Sequence, residues 1–76
     1  MPKSIPLIMV AEGKTCKIDY INAGHGLLRR LTEMGFFSNA KIKILSSDRG
    51  CLIILLNTSK YAISKGISMK IFVSEL

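Results

Sequence analysis

Between Lys14 and Ile21 the chain alternates: Cys16, Ile18 and Tyr20 share one parity while Thr15, Lys17 and Asp19 share the other, and Ile21 closes the run. This is the two-residue period of a half-buried strand with Tyr20 on the inward side. Beyond Asn22 the period lengthens. Leu27, Leu31 and Met34 fall at i, i+4 and i+7 with Leu28 alongside, while Arg29, Arg30, Thr32 and Glu33 take other directions. The spacing predicts an amphipathic helix of about three turns with Leu27, Leu31 and Met34 facing the core. Gly35, directly after Met34, suits the left-handed position that ends a helix, and Phe36 is placed to pack back on the last turn.

Alternation resumes from Ala40 to Leu45, with Ile42 and Ile44 inward and Lys41 and Lys43 outward. Ser46-Ser-Asp-Arg-Gly50 reads as a five-residue turn, Cys51 to Leu56 as the more buried arm of a hairpin, and Asn57-Thr-Ser59 as the next corner. Lys60 to Ser64 is a fourth strand, with Tyr61 and Ile63 on one face. Lys65-Gly66 breaks it, and Met69 to Val73 is a fifth with Met69, Ile71 and Val73 aligned. Residues 1 to 11 read as an extended arm, because Pro2 and Pro6 forbid a regular helix while Leu7 to Val10 is apolar enough to lie across the domain.

Strands this close in sequence pair as antiparallel hairpins, since a parallel crossover needs a dozen or more residues. The expected fold is mainly β: a small, strongly bent sheet of about five strands closing into an SH3-like barrel, with the helix after the first strand as a lid on one open end. Closure would also remove exposed edges. Residues 1–76 read as a single domain of this kind. At this length a folded chain removes only ~60 to 65% of its surface from water, so the core must be dense or supported by a partner. The chain is 49% hydrophobic, which fits either an apolar contact surface or a doubly buried strand.

The longest uncharged apolar run, Cys51 to Leu56, is far short of the ~20 residues of a spanning helix, and the N-terminus lacks the form of a signal peptide. The expected location is the cytoplasm, extending to the inner face of the membrane.

Eleven Lys and Arg against five acids give a net charge of +6, which biases the surface toward phosphates, anionic headgroups or an acidic protein face. Lys41 and Lys43 project from one side of a strand, and Lys17, Lys60 and Lys70 enlarge that basic area if the barrel closes; each contributes roughly 1 kcal/mol near an anionic membrane. Cys16 and Cys51 form no Cys-x-x-Cys unit and read as reduced core residues. A lone His25 cannot complete a metal shell, and one histidine with five scattered acids offers no triad, so neither a cofactor nor an enzymatic centre is expected.

Gly24-His-Gly-Leu-Leu-Arg29 lies one residue from a dinucleotide-binding fingerprint, but Arg29 occupies the third glycine position and an antiparallel meander follows. Gly24 and Gly26 read instead as permitting a sharp change of direction and a tight helix start. Arg29 stands i, i+4 from Glu33 and Arg30 stands i, i+3, a spacing for mutual support on a solvated face. A DNA-reading helix-turn-helix would need a second helix.

The run GHGLLRRLTEMGF, followed by YAISKGISMKIFV, resembles the FeoA family, ferrous iron transport protein A, over about Lys14 to Val73. Its core is a glycine-containing turn, Leu27, Arg29-Arg30-Leu31 and Glu33-Met34-Gly35-Phe36. The family's Pro-Gly after this motif is replaced by Ser38-Asn39, and its proline-bearing hairpin by SSDRG; Asn39 can adopt positive φ in place of glycine. The resemblance implies a cytoplasmic SH3-like accessory protein that engages the membrane permease FeoB, with no small-molecule substrate. Leu27, Leu31 and Met34 would pack inward and His25, Arg29, Arg30, Glu33, Lys41 and Lys43 would be available to the partner. The second reading is a basic barrel binding RNA, with Tyr20, Phe36, Phe37, Tyr61 and Phe72 as stacking candidates, most of them expected to face the core.

Overall fold

The computed structural model describes residues 3 to 76. Six strands form one antiparallel sheet: β1 (Ile5–Pro6), β2 (Thr15–Ile21), β3 (Lys41–Asp48), β4 (Cys51–Leu56), β5 (Ser59–Ser64) and β6 (Ile71–Glu75), in the order β1-β6-β2-β3-β4-β5. Helix α1 (His25–Met34) follows β2, and a single helical turn, α2 (Lys65–Ser68), follows β5. The sheet is bent around one core of Leu7, Cys16, Ile18, Leu31, Phe36, Ile42, Ile44, Ile54, Leu56, Ile71 and Val73, all at most 2% exposed. This is the mainly-β, SH3-like architecture that the alternating pattern predicts.

The ladder ends at β1 and β5, which pair with one neighbour each. Near that opening α2 packs against β4, β5 and the 3-10 turn Leu7–Met9, so helical turns cover what strand pairing leaves open. The N-terminal arm is thus more structured than its prolines suggest. Its first two residues lie outside the described residues, but Ile5 and Pro6 pair with Val73 and Phe72, and Leu7 is fully buried. Pro6 lacks an N–H, which an edge strand tolerates and which blunts that edge against further pairing.

Tyr20 does not face the core; it is 52% exposed. The register between β2 and β6 shifts between Ile18, which opposes Val73, and Tyr20, which opposes Phe72, leaving Asp19 as an extra residue. A bulge of this kind reverses the side-chain parity of everything after it. Tyr20 therefore stacks on Phe72, centroids 4.8 Å apart and planes 3° from parallel, while Ile21 comes to oppose buried Ile71.

The bulge is locked from both sides. The hydroxyls of Ser4 and Ser74 both donate to the same carboxylate oxygen of Asp19, and Ser38 Oγ donates to the Asp19 carbonyl at 3.0 Å.

A second shift, at Leu45, lets β3 run on through Ser46, Ser47 and Asp48, which pair with Ile53, Leu52 and Cys51. The five-residue turn expected there shrinks to Arg49-Gly50, with Gly50 at φ +71°. Cross-strand pairing outweighs the turn propensity of the serines. At the other end, Ser64 Oγ accepts the Ile67 N–H at 3.2 Å and starts α2, so the strand expected from Met69 begins at Ile71 and Met69 is left exposed.

Cys16 is a free, buried thiol donating to the Ile42 carbonyl at 3.6 Å, and its pKa is pushed up to about 11 by burial first and then by Glu75 and Asp19. Cys51 is also free, but only half-buried, because its parity on β4 is the outward one.

Asp19 carries the acid sensitivity of this arrangement. The Ser4 hydroxyl, then that of Ser74, with Lys17 adding a smaller effect, holds its carboxyl below the usual carboxylate range. The unfolded chain then binds the proton more tightly, so this contribution is complete above that range and fades as pH falls through it. Urea midpoints measured from about pH 5 to pH 2 are expected to fall for the native chain, and to fall less steeply for Asp19→Asn.

Candidate functional site

Helix α1 is the element whose side chains the fold uses least. Gly24 occupies its N-cap at φ −66° with no side-chain cap, and a Cβ added at Gly24 or Gly26 would meet nothing within 4 Å. Neither glycine is needed for a turn or a close approach within the chain, contrary to the expectation from the sequence.

The C-terminus is the tightly specified end. Gly35, at φ +105°, donates to Leu31 and Thr32, Phe36 N donates to Leu31 O at 2.9 Å, and a Cβ at Gly35 would stand 3.2 Å from Leu56 Cδ2. That is a Schellman-type end with its hydrophobic residue, Phe36, driven into the core. Tyr61 tilts against Phe36 at 5.6 Å between centroids and donates its hydroxyl to the Met34 carbonyl at 3.3 Å.

Leu31 is 2% exposed and Leu27 packs half-buried against the core, as the helical spacing predicts. Met34 departs from it at 39% exposed. At about 100° per residue Met34, Leu27, Leu31 and Leu28 fall near −20°, 0°, +40° and +100°, so Leu31 lies central to the buried stripe and Met34 falls at its margin.

There Met34 lines an apolar groove of about 180 Å³ with Leu27, Arg30, Ile63 and Ile67, between α1 on one side and β5 with α2 on the other. A second depression of about 320 Å³, on the opposite flank of α1, is lined by Tyr20, Leu28, Thr32, Phe36 and Phe37, with no charged group. Phe37, 51% exposed, forms its rim.

The charged residues sort by position. Arg29 pairs with Glu33 at 3.8 Å with both side chains mostly exposed, a contact worth about 0.3 to 0.5 kcal/mol. Arg30, itself exposed, lines the 180 Å³ groove, and His25 is exposed at the first residue of the helix. Lys41 and Lys43 are not brought to this surface; they sit on the outer face of β3, around a shallow depression with Thr15, Leu55 and Asn57. The candidate contacts therefore form two surfaces. Cys16 faces the core, Asp19 is held by the two serines and His25 stands at the start of α1.

Four of the five aromatic candidates pair with one another, Tyr20 with Phe72 and Phe36 with Tyr61. Phe36 is buried, Tyr20 and Phe37 line the uncharged depression, and Phe72 is stacked on Tyr20. Two signals were misread in the sequence: Asp19 followed by Tyr20 conceals the bulge, and Phe37, adjacent to buried Phe36, gives no periodic hint of exposure.

The fold is a small SH3-like β domain in which one helix carries a basic and apolar rim between two depressions. The chain belongs to the FeoA family: the model of the FeoA domain matches residues 5–75. A putative Fe(2+) transport protein A from Methanocaldococcus jannaschii is 36% identical over 70 residues, covering 92% of this chain and 85% of that protein. The crystal structure of an iron uptake regulatory protein (FeoA) superposes with a TM-score of 0.88 at 30% identity, covering 97% and 99% of the two chains. A manganese-dependent transcriptional repressor shares the fold, with a TM-score of 0.90 at 18% identity, but this chain matches only 44% of it. The family places this chain among ferrous iron transport proteins. Among the described residues no helix is long and apolar enough to cross a membrane.

Asn39 is at φ +73°, the left-handed conformation expected of it from the sequence.

The two apolar positions of α1 should respond differently to truncation. Leu31→Ala is expected to cost about 2 to 5 kcal/mol by leaving a cavity against Phe36 and the sheet. Met34→Ala should cost below about 1 kcal/mol because its site is open to water. Denaturant titration of the two variants checks the contrast.

Proposed function

We propose that this protein is an accessory subunit of ferrous iron uptake that docks on a FeoB-type permease through α1. It would act by contact alone, without catalysis and without carrying the ion. His25, Arg29, Arg30 and Glu33 supply the polar contacts, and Met34 and Phe37 supply apolar rims on the two flanks. The membership of the FeoA family motivates the partner.

The observation that carries the reading is that α1 is tightly specified at its C-terminal end, while at its start only Leu27 packs against the core and its glycines and charged residues are free. Gly35, Phe36, Leu31 and Tyr61 fix the helix on the sheet, while Gly24, Gly26, Arg30 and Met34 meet no requirement of the fold. A pocket of about 180 Å³ exceeds the ~150 Å³ that holds a benzene ring, so it has room for one large apolar side chain of a partner, with Arg30 at its mouth for an acidic neighbour. Two bare glycines at the helix start let a partner backbone approach closely.

The test is co-purification with the permease from detergent-solubilised membranes, with and without GTP. Arg29→Glu combined with Arg30→Glu should weaken capture by about tenfold or more, the scale of a buried charged anchor. Gly26→Ala should stabilise the free chain by up to about 1 kcal/mol, through helix propensity, while reducing capture. Capture undiminished in the charge-reversed variant, with circular dichroism unchanged, would reject α1 as the docking face.

A further inference from the structure

The outer face of the sheet holds a charge arrangement that folding alone disfavours. Lys17 on β2 stands directly opposite Lys41 on β3; one step along, Thr15 opposes Lys43, Lys43 opposes Leu55, and Leu55 opposes Lys60 on β5. The bonds from Ile44 N to Lys14 O and from Ile18 N to Ala40 O place the hydrogen-bonded pairs of the β2–β3 ladder at even-numbered residues. Lys17 and Lys41 are then a non-hydrogen-bonded pair, the kind whose Cα atoms come within about 4.5 Å and whose side chains lie nearest. Like charges so placed destabilise a sheet.

None of these lysines has an ion-pair partner among the described residues. The one ion pair among the described residues is Arg29 with Glu33, on α1. Asp19, on the same strand as Lys17, feels that lysine's charge but makes its close contacts with the hydroxyls of Ser4 and Ser74, and Glu12 accepts the Ser47 N–H. Four lysines on three strands, β2, β3 and β5, thus form a cationic face in which no lysine has an ion-pair partner among the described residues, leaving its charge open to an anion outside the chain.

We infer that this face rests on an anionic lipid bilayer. All four charges are lysines, compact point charges on flexible stems that reach a diffuse anionic plane without needing the fixed geometry arginine gives. Protein interfaces are depleted in lysine and anchored by Trp, Tyr and Arg, none of which stands among these four. A nucleic-acid platform would interleave aromatics, but Tyr20 and Phe72 lie beyond the bulge and stack on each other. Half-buried Leu55, between Lys43 and Lys60, offers an apolar spot of the kind a headgroup region accepts. About fivefold per lysine gives half-binding near millimolar lipid, a reversible contact that needs a second signal for stable residence. The inference does not depend on the permease.

The experiment is sedimentation of the purified chain with vesicles of phosphatidylcholine alone or mixed with phosphatidylserine, at low and high salt. Binding is expected only to the phosphatidylserine vesicles and is expected to vanish at high salt. Lys41→Gln should weaken it about fivefold, and Lys41→Gln with Lys60→Gln about 30-fold. Lys41→Gln should also raise Tm, since it relieves the repulsion with Lys17, so lost binding cannot be ascribed to lost folding. The inference is overturned by equal or absent binding to both vesicle types, by unchanged binding of the double variant, or by capture of polyglutamate or single-stranded RNA where phosphatidylserine vesicles are not bound.

Discussion

The carboxylate of Asp19, gripped by the hydroxyls of Ser4 and Ser74, is the contact on which the arrangement of the functional surfaces depends. It brings together the N-terminal arm, the last strand and the bulge of β2, three segments distant in sequence. A bulge left unsupported would let β2 slip by one residue and turn its inward set outward. With Asp19 held, Cys16 and Ile18 stay in the core while Tyr20 emerges, and the chain leaves the sheet at Ile21 in the direction that sets α1 over Leu56 and Tyr61.

From that departure point the helix is secured by its far end. Gly35 must be left-handed and must also lie against Leu56, Phe36 fills the core, and Tyr61 caps a carbonyl. The near end is held by helical hydrogen bonds and by half-buried Leu27 against the core. This asymmetry separates structure from interaction along a single ten-residue element: stability sits in Leu31, Gly35 and Phe36, and free surface in His25, Gly26, Arg29 and Arg30. A small domain with little stability to spare gains by such a division, because contact residues can then be chosen for a partner at small cost to folding.

The basic surface obeys a different logic. Lysines of β2, β3 and β5 stand on one outer face because alternation places them there, and pairing makes two of them direct neighbours. Helix and lysine face are separate surfaces, so a chain with one core presents two kinds of chemistry: an apolar rim with arginines, and a plane of mobile ammonium groups.

Much of this was legible in the residues. Period-two runs identified β2, β3 and β5 with the core parity of Ile18, Ile42, Ile44 and Ile63, a continuous apolar run identified β4, and the 3.6-residue run ending in Gly35 identified α1, because periodicity and a left-handed glycine are local consequences of burial and backbone sterics. The motif around Leu27 to Phe36 also carried the family. What tertiary structure decided was register: the bulges at Asp19 and Leu45, the recruitment of Ile5 and Pro6 as a strand, the exposure of Tyr20, Met34 and Met69, and the separation of Lys41 and Lys43 from the helix. Each depends on which residue of a remote strand stands opposite, and that choice is made by the free energy of the assembled sheet, which no local pattern records.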